Sequence, residues 1–256
     1  MSKSLDVTKL EREVKSMYRD VAEFSEGEFH FEMGRDLAER LGYDPEDLEY
    51  VPDAAIDSFA GVGYYFDLAE LEPGEAVLDL GSGSGMDMFV AGLHVTETGT
   101  VVGVDMTDEQ VEKSRTLSAE NGFHNVEVRQ GHIEDLPFDD ASFDAIISNG
   151  VINLSAEKQQ VFEEAYRVLN PGGRLALADI ISENQLPESI KSDADLWAAC
   201  IGGAEQVDDY TTMIEKAGFE MEAVRENTEY EFISDRAANA CQKYGVKSIS
   251  LSALKR

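Results

Sequence analysis

The chain is poor in sulfur, poor in cations and free of long apolar runs, and each shortage removes a class of explanation. Its two cysteines, Cys200 and Cys241, make neither a disulfide framework nor a zinc cluster, which need more sulfur or a matching set of histidines. Each thiol is expected to be reduced and partly buried. The histidines His30, His94, His124 and His132 are scattered without ligand spacing, so no metal is expected. Nothing resembles the run of about 18 apolar residues that a bilayer span needs, and the start MSKSLDVTKLEREVKS is too charged for a secretory signal. A cytoplasmic location and no membrane partner are therefore expected. Lys and Arg number 21 against 52 Asp and Glu, a net charge of −31, and a surface this acidic repels phosphate backbones and argues against nucleic acid as a partner. The acids are spread along the chain rather than gathered in a tail. Such a surface suits a halophilic, salt-rich cytoplasm, where a Debye length of about 3 Å at 1 M salt screens the self-repulsion.

What is present is an alternation of short apolar runs with longer amphipathic ones, over a length of 256 residues that suits one large domain or a domain with a small appendage. Strands are expected at 75–80, 100–105, 126–131, 143–149 and 173–180, with helices near 86–94, 107–122 and 155–169 between them. Thr107 and Ser155 have the chemistry of N-caps, and NPGG at 170–173 reads as a helix stop. Strand, helix, strand, repeated, implies right-handed crossovers. The tail adds a helix at 207–219, a further strand from 220, a helix near 234–244 and a last strand from 246, so the expected fold is α/β: a doubly wound, mostly parallel seven-stranded Rossmann-like sheet. Residues 1–70 are expected to form a helical cap over the carboxyl edge of the sheet, with residues 71–256 carrying the sheet and a substrate-side insertion at about 182–206.

The first strand runs into VLDLGSGSGMD, residues 77–87. Gly81, Gly83 and Gly85 follow a buried strand and precede a helix, where absent side chains let backbone approach a ligand and helix N–H groups face it; Ser82 lies inside the same turn. A dinucleotide fingerprint would put its third glycine at position 86, which is Met86, and would not carry an acid two residues before the first glycine. Asp79 stands there, and an acid suits a cationic amino group better than a pyrophosphate. Asp105, at the end of the second strand, is placed to accept hydrogen bonds from ribose hydroxyls. An amino group and a ribose without a phosphate describe S-adenosylmethionine.

These motifs resemble the class I S-adenosylmethionine-dependent methyltransferases: VLDLGSGSG is similar to their first motif, VVGVDMT to their ribose-binding strand end and GHIEDLPF to their adenine loop. The resemblance implies Asp79 and Gly81 near the methionine moiety, Asp105 on the ribose, Met106 and Ile133 sandwiching adenine, and Glu134 near its exocyclic amine. It narrows further, because SNGVINLSAEKQQVFEEAYRVLNPGGRLALADI, CIGGAEQVDDYTTMIEKAGF and GVKSISLSALKR resemble the arsenite methyltransferases and their close relatives. That family writes cysteine where this chain has Val62 and Gly150, and only Cys200 matches a family thiol. Because As(III) is a soft centre that the family holds with up to three converging sulfurs, Cys200 alone does not complete such a set. It reads either as a substrate-facing thiol or as a small hydrophobe packed in its helix.

Methyl transfer from a sulfonium needs in-line placement and a dry site more than an acid/base pair. Candidates for that placement are Asn149 and Gly150 at the end of the fourth strand, where open α/β sheets put their ligands, with Asn153, Tyr64 and Tyr65 on the cap side. Tyr18 resembles an N-terminal tyrosine that closes over the cofactor in relatives. Three functions stay open at this point: a methyltransferase acting on a small-molecule acceptor, an arsenite methyltransferase, and a non-catalytic S-adenosylmethionine-binding regulatory protein.

Overall fold

The computed structural model describes residues 7–24, 29, 31–191, 197, 201–233 and 235–256. Helix α1 (Val7–Glu23) is followed by four short helices, α2 (Arg35–Leu41), α3 (Pro45–Leu48), α4 (Asp53–Ile56) and α5 (Phe66–Ala69). Then comes the alternating body: β1 (Ala76–Leu80), α6 (Met86–Val95), β2 (Thr100–Asp105), α7 (Asp108–Asn121), β3 (Val126–Gln130), β4 (Phe143–Asn149), a 3-10 turn at Ile152–Leu154, α8 (Lys158–Val168) and β5 (Leu169–Ile181). After α9 (Glu188–Lys191) the chain adds α10 (Val207–Lys216), β6 (Phe219–Glu226), α11 (Asp235–Tyr244) and β7 (Lys247–Lys255).

The seven strands lie in the order β3-β2-β1-β4-β5-β7-β6. All neighbours run parallel except at β7, which is antiparallel to both β5 and β6. The mostly parallel, doubly wound sheet expected from the strand pattern is thus observed. After β1 the chain moves outward through β2 to β3, then returns to lay β4 on the other side of β1. The crevice at this switch point, outside the carboxyl ends of β1 and β4, is where such sheets bind ligands.

Both faces of the sheet are covered, which is why its central strands are nearly continuous in apolar residues. One face packs Val77, Ile147, Met88 and Phe89 with Leu37, Tyr43, Ile56 and Tyr65, so the segment at 35–69 shares a core with the sheet. The opposite face packs Leu78, Leu80 and Ile146 with Phe162, Tyr210 and Leu251. Each large side chain buried this way contributes roughly 1.5–3 kcal/mol.

Three local expectations shift. Helix α8 begins at Lys158, and Ser155 caps the turn ahead of it by accepting from the Glu157 N–H at 3.0 Å. Thr107 is the N-cap of α7, but its side chain makes no capping bond; its N–H donates instead to Asp105 Oδ1 at 2.8 Å. NPGG does not separate helix from strand: β5 starts at Leu169, and the register steps from Phe143 opposite Leu169 to Ala145 opposite Arg174, leaving 170–173 as an irregularity within the strand.

Candidate active site

The turn after β1 is held by its own backbone. The N–H groups of Gly81 and Ser82 both donate to Val104 O, at 2.7 and 3.1 Å, which closes the turn against β2. Gly81 has φ +70° and Gly85, the N-cap of α6, has φ +100°, both in the region that favours glycine. A Cβ on Gly81 would stand 2.3 Å from Val151 Cγ1, and one on Gly85 2.8 Å from Ser114 Oγ. The turn therefore brings bare backbone to the edge of a cavity of about 320 Å³.

That cavity collects residues far apart in the chain. Asp79, Gly81, Ser82, Gly83 and Gly85 line one side. Asp105 and Met106 come from the end of β2, Ile133 and Glu134 from the loop after β3, Asn149 from the end of β4, and Tyr18 from α1. Cys200 lies outside the described residues. Tyr64 and Tyr65, expected on the cavity wall, are not there: Tyr65 is fully buried beneath it and donates to Asp87 Oδ2 at 2.8 Å, while Tyr64 packs edge-on against Tyr43. Asn153 also turns away, its N–H donating to Asp179 Oδ2 at 3.0 Å. Its side-chain amide goes to Ile180 O. Trp197 packs with Val14 against Tyr18, Met106 and Leu154, with Lys158 Nζ 5.2 Å from its ring centre.

Electrostatically the cavity is one-sided. Among the described residues that line it there are six carboxylate side chains, those of Glu11, Asp79, Asp87, Asp105, Glu134 and Glu157, and no Lys or Arg. Asp79 is 2% exposed and its Oδ2 has no hydrogen-bond partner. Burial, then the charges of Asp87 and Asp105, push its carboxyl well above the ordinary carboxylate range. Asp105 is raised by burial against the pull of its backbone donors and of Lys15; it accepts from Gly83 N–H at 3.0 Å and from Thr107 N–H at 2.8 Å. Glu134 accepts from Ser155 Oγ.

Two groupings had no role in the sequence reading. Asp87, at the first turn of α6, accepts from Tyr43 Oη at 2.5 Å, Tyr65 Oη at 2.8 Å and Asn149 Nδ2 at 3.0 Å. Asn149 also donates to Gly63 O at 3.1 Å and accepts from Val62 N–H at 2.8 Å, so its amide ties the 61–65 segment to the end of β4. The second grouping is Gln110, which accepts from Ser84 Oγ at 2.5 Å and donates to Tyr18 O at 2.9 Å, linking the glycine turn to α1. Asp87 stood in plain view beside the glycines, but its partners lie 22 to 62 residues away and carry no local signal.

These residues fit S-adenosylmethionine. A cationic ligand satisfies the bare Asp79 carboxylate, the glycine turn admits it without a Cβ in the way, and the apolar side chains of Met106 and Ile133 are available to a flat base. The thiol chemistry differs. Val62 is 2% exposed and sits in the core under the cavity, Gly150 closes β4 by donating its N–H to Ala178 O at 2.8 Å, and Cys241 is in α11 with its thiol pushed up to about 11 by burial.

Comparison with known proteins agrees. A family model described as a methyltransferase domain matches residues 71–218. An arsenite methyltransferase from Halobacterium salinarum is 46% identical over 199 residues, covering 77% of this chain and 51% of that protein. One from Mus musculus is 44% identical over 152 residues, 56% of this chain and 40% of that protein. The chain thus spans about half the length of the curated relatives it matches. Among solved structures, an arsenic(III) S-adenosylmethionine methyltransferase from Chlamydomonas reinhardtii superposes with a TM-score of 0.65 at 32% identity, covering 87% of this chain and 73% of that one. With the sheet order, the glycine turn and its acids in agreement, the chain belongs to the methyltransferase domain family, as a class I S-adenosylmethionine-dependent member related to the arsenite methyltransferases.

Proposed function

We propose that this chain binds S-adenosylmethionine in the cavity at the β1/β4 switch point and transfers its methyl group to a small-molecule acceptor. The observation that carries the reading is Asp79: a buried carboxylate with an unpartnered oxygen, facing a cavity without a lining cation among the described residues. The bound sulfonium supplies an already activated methyl group. The protein's part is to bind, orient and exclude water. Asp79 holds a positive amino group, Asp105 accepts from ribose hydroxyls with its remaining lone pairs, and Met106, Ile133 and Glu134 take the adenine. Tyr18, fixed through Gln110 to the glycine turn, covers the site from α1. Asn149 sets the position of the 61–65 segment on the acceptor side.

The relatives favour arsenite as a second reading of the acceptor. Against it stand Val62 and Gly150 at two of the thiol positions, and a raised Cys241 thiol remote from thiolate chemistry. Calorimetric titration with S-adenosylmethionine in high salt, repeated with arsenite and a small thiol, tests both. Saturable binding that is indifferent to arsenite is expected; binding that tightens with arsenite restores the second reading and makes Cys200 the residue to mutate. No binding at all sinks the cofactor assignment. Loss of methyl transfer to acceptors of a cell extract in Asp79→Ala, with transfer by the parent protein, removes the non-catalytic reading.

The net charge of −31 supports a salt-rich cytoplasm as the working environment. Thermal unfolding followed by circular dichroism is expected to give a midpoint that falls on dilution from molar KCl to low-salt buffer, because the screening of like surface charges is lost. Equal midpoints in the two buffers would discard this assignment.

A further inference from the structure

Asp87 is buried, 6% exposed, and lines the cavity. Its three donors, Tyr43, Tyr65 and Asn149, are all neutral. They favour the ionised carboxylate, as does its place in the first turn of the ten-residue helix α6, while burial outweighs them and raises its proton affinity until a cation offsets it. Among the described residues no cation offsets it: what acts on it is burial, the two tyrosines and the asparagine. A buried anion that is well solvated by protein donors yet lacks a counter-charge is costly unless a cation arrives. The neighbouring Asp79, with its bare oxygen, presents the same demand from β1. One positive centre of a ligand can answer Asp79, and a second buried acid on the same cavity, which a nearby cation would hold ionised, calls for a second positive centre. S-adenosylmethionine has two, an ammonium and a sulfonium. Its spent product, S-adenosylhomocysteine, has lost the sulfonium charge.

Resting on the cofactor reading above, we infer that Asp87 is a specificity-determining residue that reads the charge of the methyl donor, so that the site holds S-adenosylmethionine in preference to S-adenosylhomocysteine. The preference relieves product inhibition, since methyl transfer itself removes the charge that Asp87 retains. The tyrosines and Asn149 serve to aim Asp87. Asp87 would otherwise be a structural tie between the 43–65 segment and the glycine turn, and the two roles separate experimentally.

The test is calorimetric titration of both ligands into the parent protein, Asp87→Asn and Tyr43→Phe in molar KCl, where buried charges are screened much less than exposed ones. The parent is expected to prefer S-adenosylmethionine by about tenfold or more, and Asp87→Asn to bring the two affinities within about threefold by weakening the cationic ligand. Tyr43→Phe disturbs the same network but keeps the charge, so it is expected to preserve the ratio. An unchanged ratio in Asp87→Asn, or an equal fall in both affinities, overturns the inference. Should Asp87→Asn fail to fold, the parent is titrated with sinefungin, which carries an ammonium at the sulfonium position. Affinity grouping with S-adenosylmethionine supports the inference, and affinity grouping with S-adenosylhomocysteine overturns it. A parent protein that binds none of the three defeats the cofactor reading instead.

Discussion

Asp79→Asn is expected to weaken S-adenosylmethionine binding by about two orders of magnitude while making the ligand-free protein more stable. Removing one partner of a buried charge pair typically costs about 2–5 kcal/mol, and each tenfold in affinity is about 1.4 kcal/mol. The gain in stability has the opposite origin. Burial and the charges of Asp87 and Asp105 raise the Asp79 carboxyl well above its unfolded value, so the folded state holds a proton that the unfolded chain releases. Asp79 therefore favours the fold below the ordinary carboxylate range, and that contribution is lost as pH rises through its raised folded value. Asp87, Asp105 and Asp179 shift the same way, Asp179 to about 6. Thermal unfolding of the ligand-free parent and Asp79→Asn across this range should show the variant gaining on the parent as pH increases. Binding runs in the other direction: a cation favours ionised Asp79, so titration of the parent should release a proton and tighten with rising pH until Asp79 is ionised without help. Equal affinities of parent and variant, or no proton release in buffers of different ionisation enthalpy, would remove Asp79 from the site.

Gly81→Ala should lower stability by about 2–5 kcal/mol, the sum of about 1–2 for an L-residue in left-handed backbone and about 1–3 for overpacking. The new methyl meets Val151 Cγ1 at 2.3 Å, Cγ2 at 2.5 Å and Cβ at 2.9 Å, and Val151 lines the cavity. It is stiff at χ1 and can yield only by moving as a whole. Because Val151 lines the cavity, its displacement should lower cofactor binding as well. The double variant Gly81→Ala/Val151→Ala separates the two costs, recovering the steric part and leaving the backbone part. Denaturant unfolding of the parent, Gly81→Ala, Val151→Ala and the double variant in high salt measures both, and a loss below about 1 kcal/mol in Gly81→Ala would show that the turn relaxes at little cost.

Much of this molecule was legible locally. The strand after which the glycines come is apolar because both sheet faces are covered, the helices between strands carry their period in the sequence, and the acids Asp79 and Asp105 sit at strand ends a fixed step from the turn. The elements follow from short-range rules, in which each residue's neighbours are within a few positions. Of the missed boundaries, one has a local cause, Ser155 capping a turn that precedes α8; the other does not, because NPGG is an irregularity within β5 only by virtue of the pairing with β4 on either side of it.

The amino-acid sequence by itself determined the element order, the glycine turn, the acids that flank it and the acidic surface, since each depends on residue type and spacing along the chain. Tertiary structure decided which of the candidate polar groups face the ligand. Tyr65 and Asn153, expected on the cap side of the site, point into the fold instead, where the Tyr65 hydroxyl donates to Asp87 and the Asn153 side-chain amide to Ile180 O. Tyr43, with no motif around it, reaches Asp87 across 44 positions. Burial and the direction of a side chain are set by how sheet and helices pack, and a buried carboxylate acquires its partners and its proton affinity only from the groups that packing brings around it.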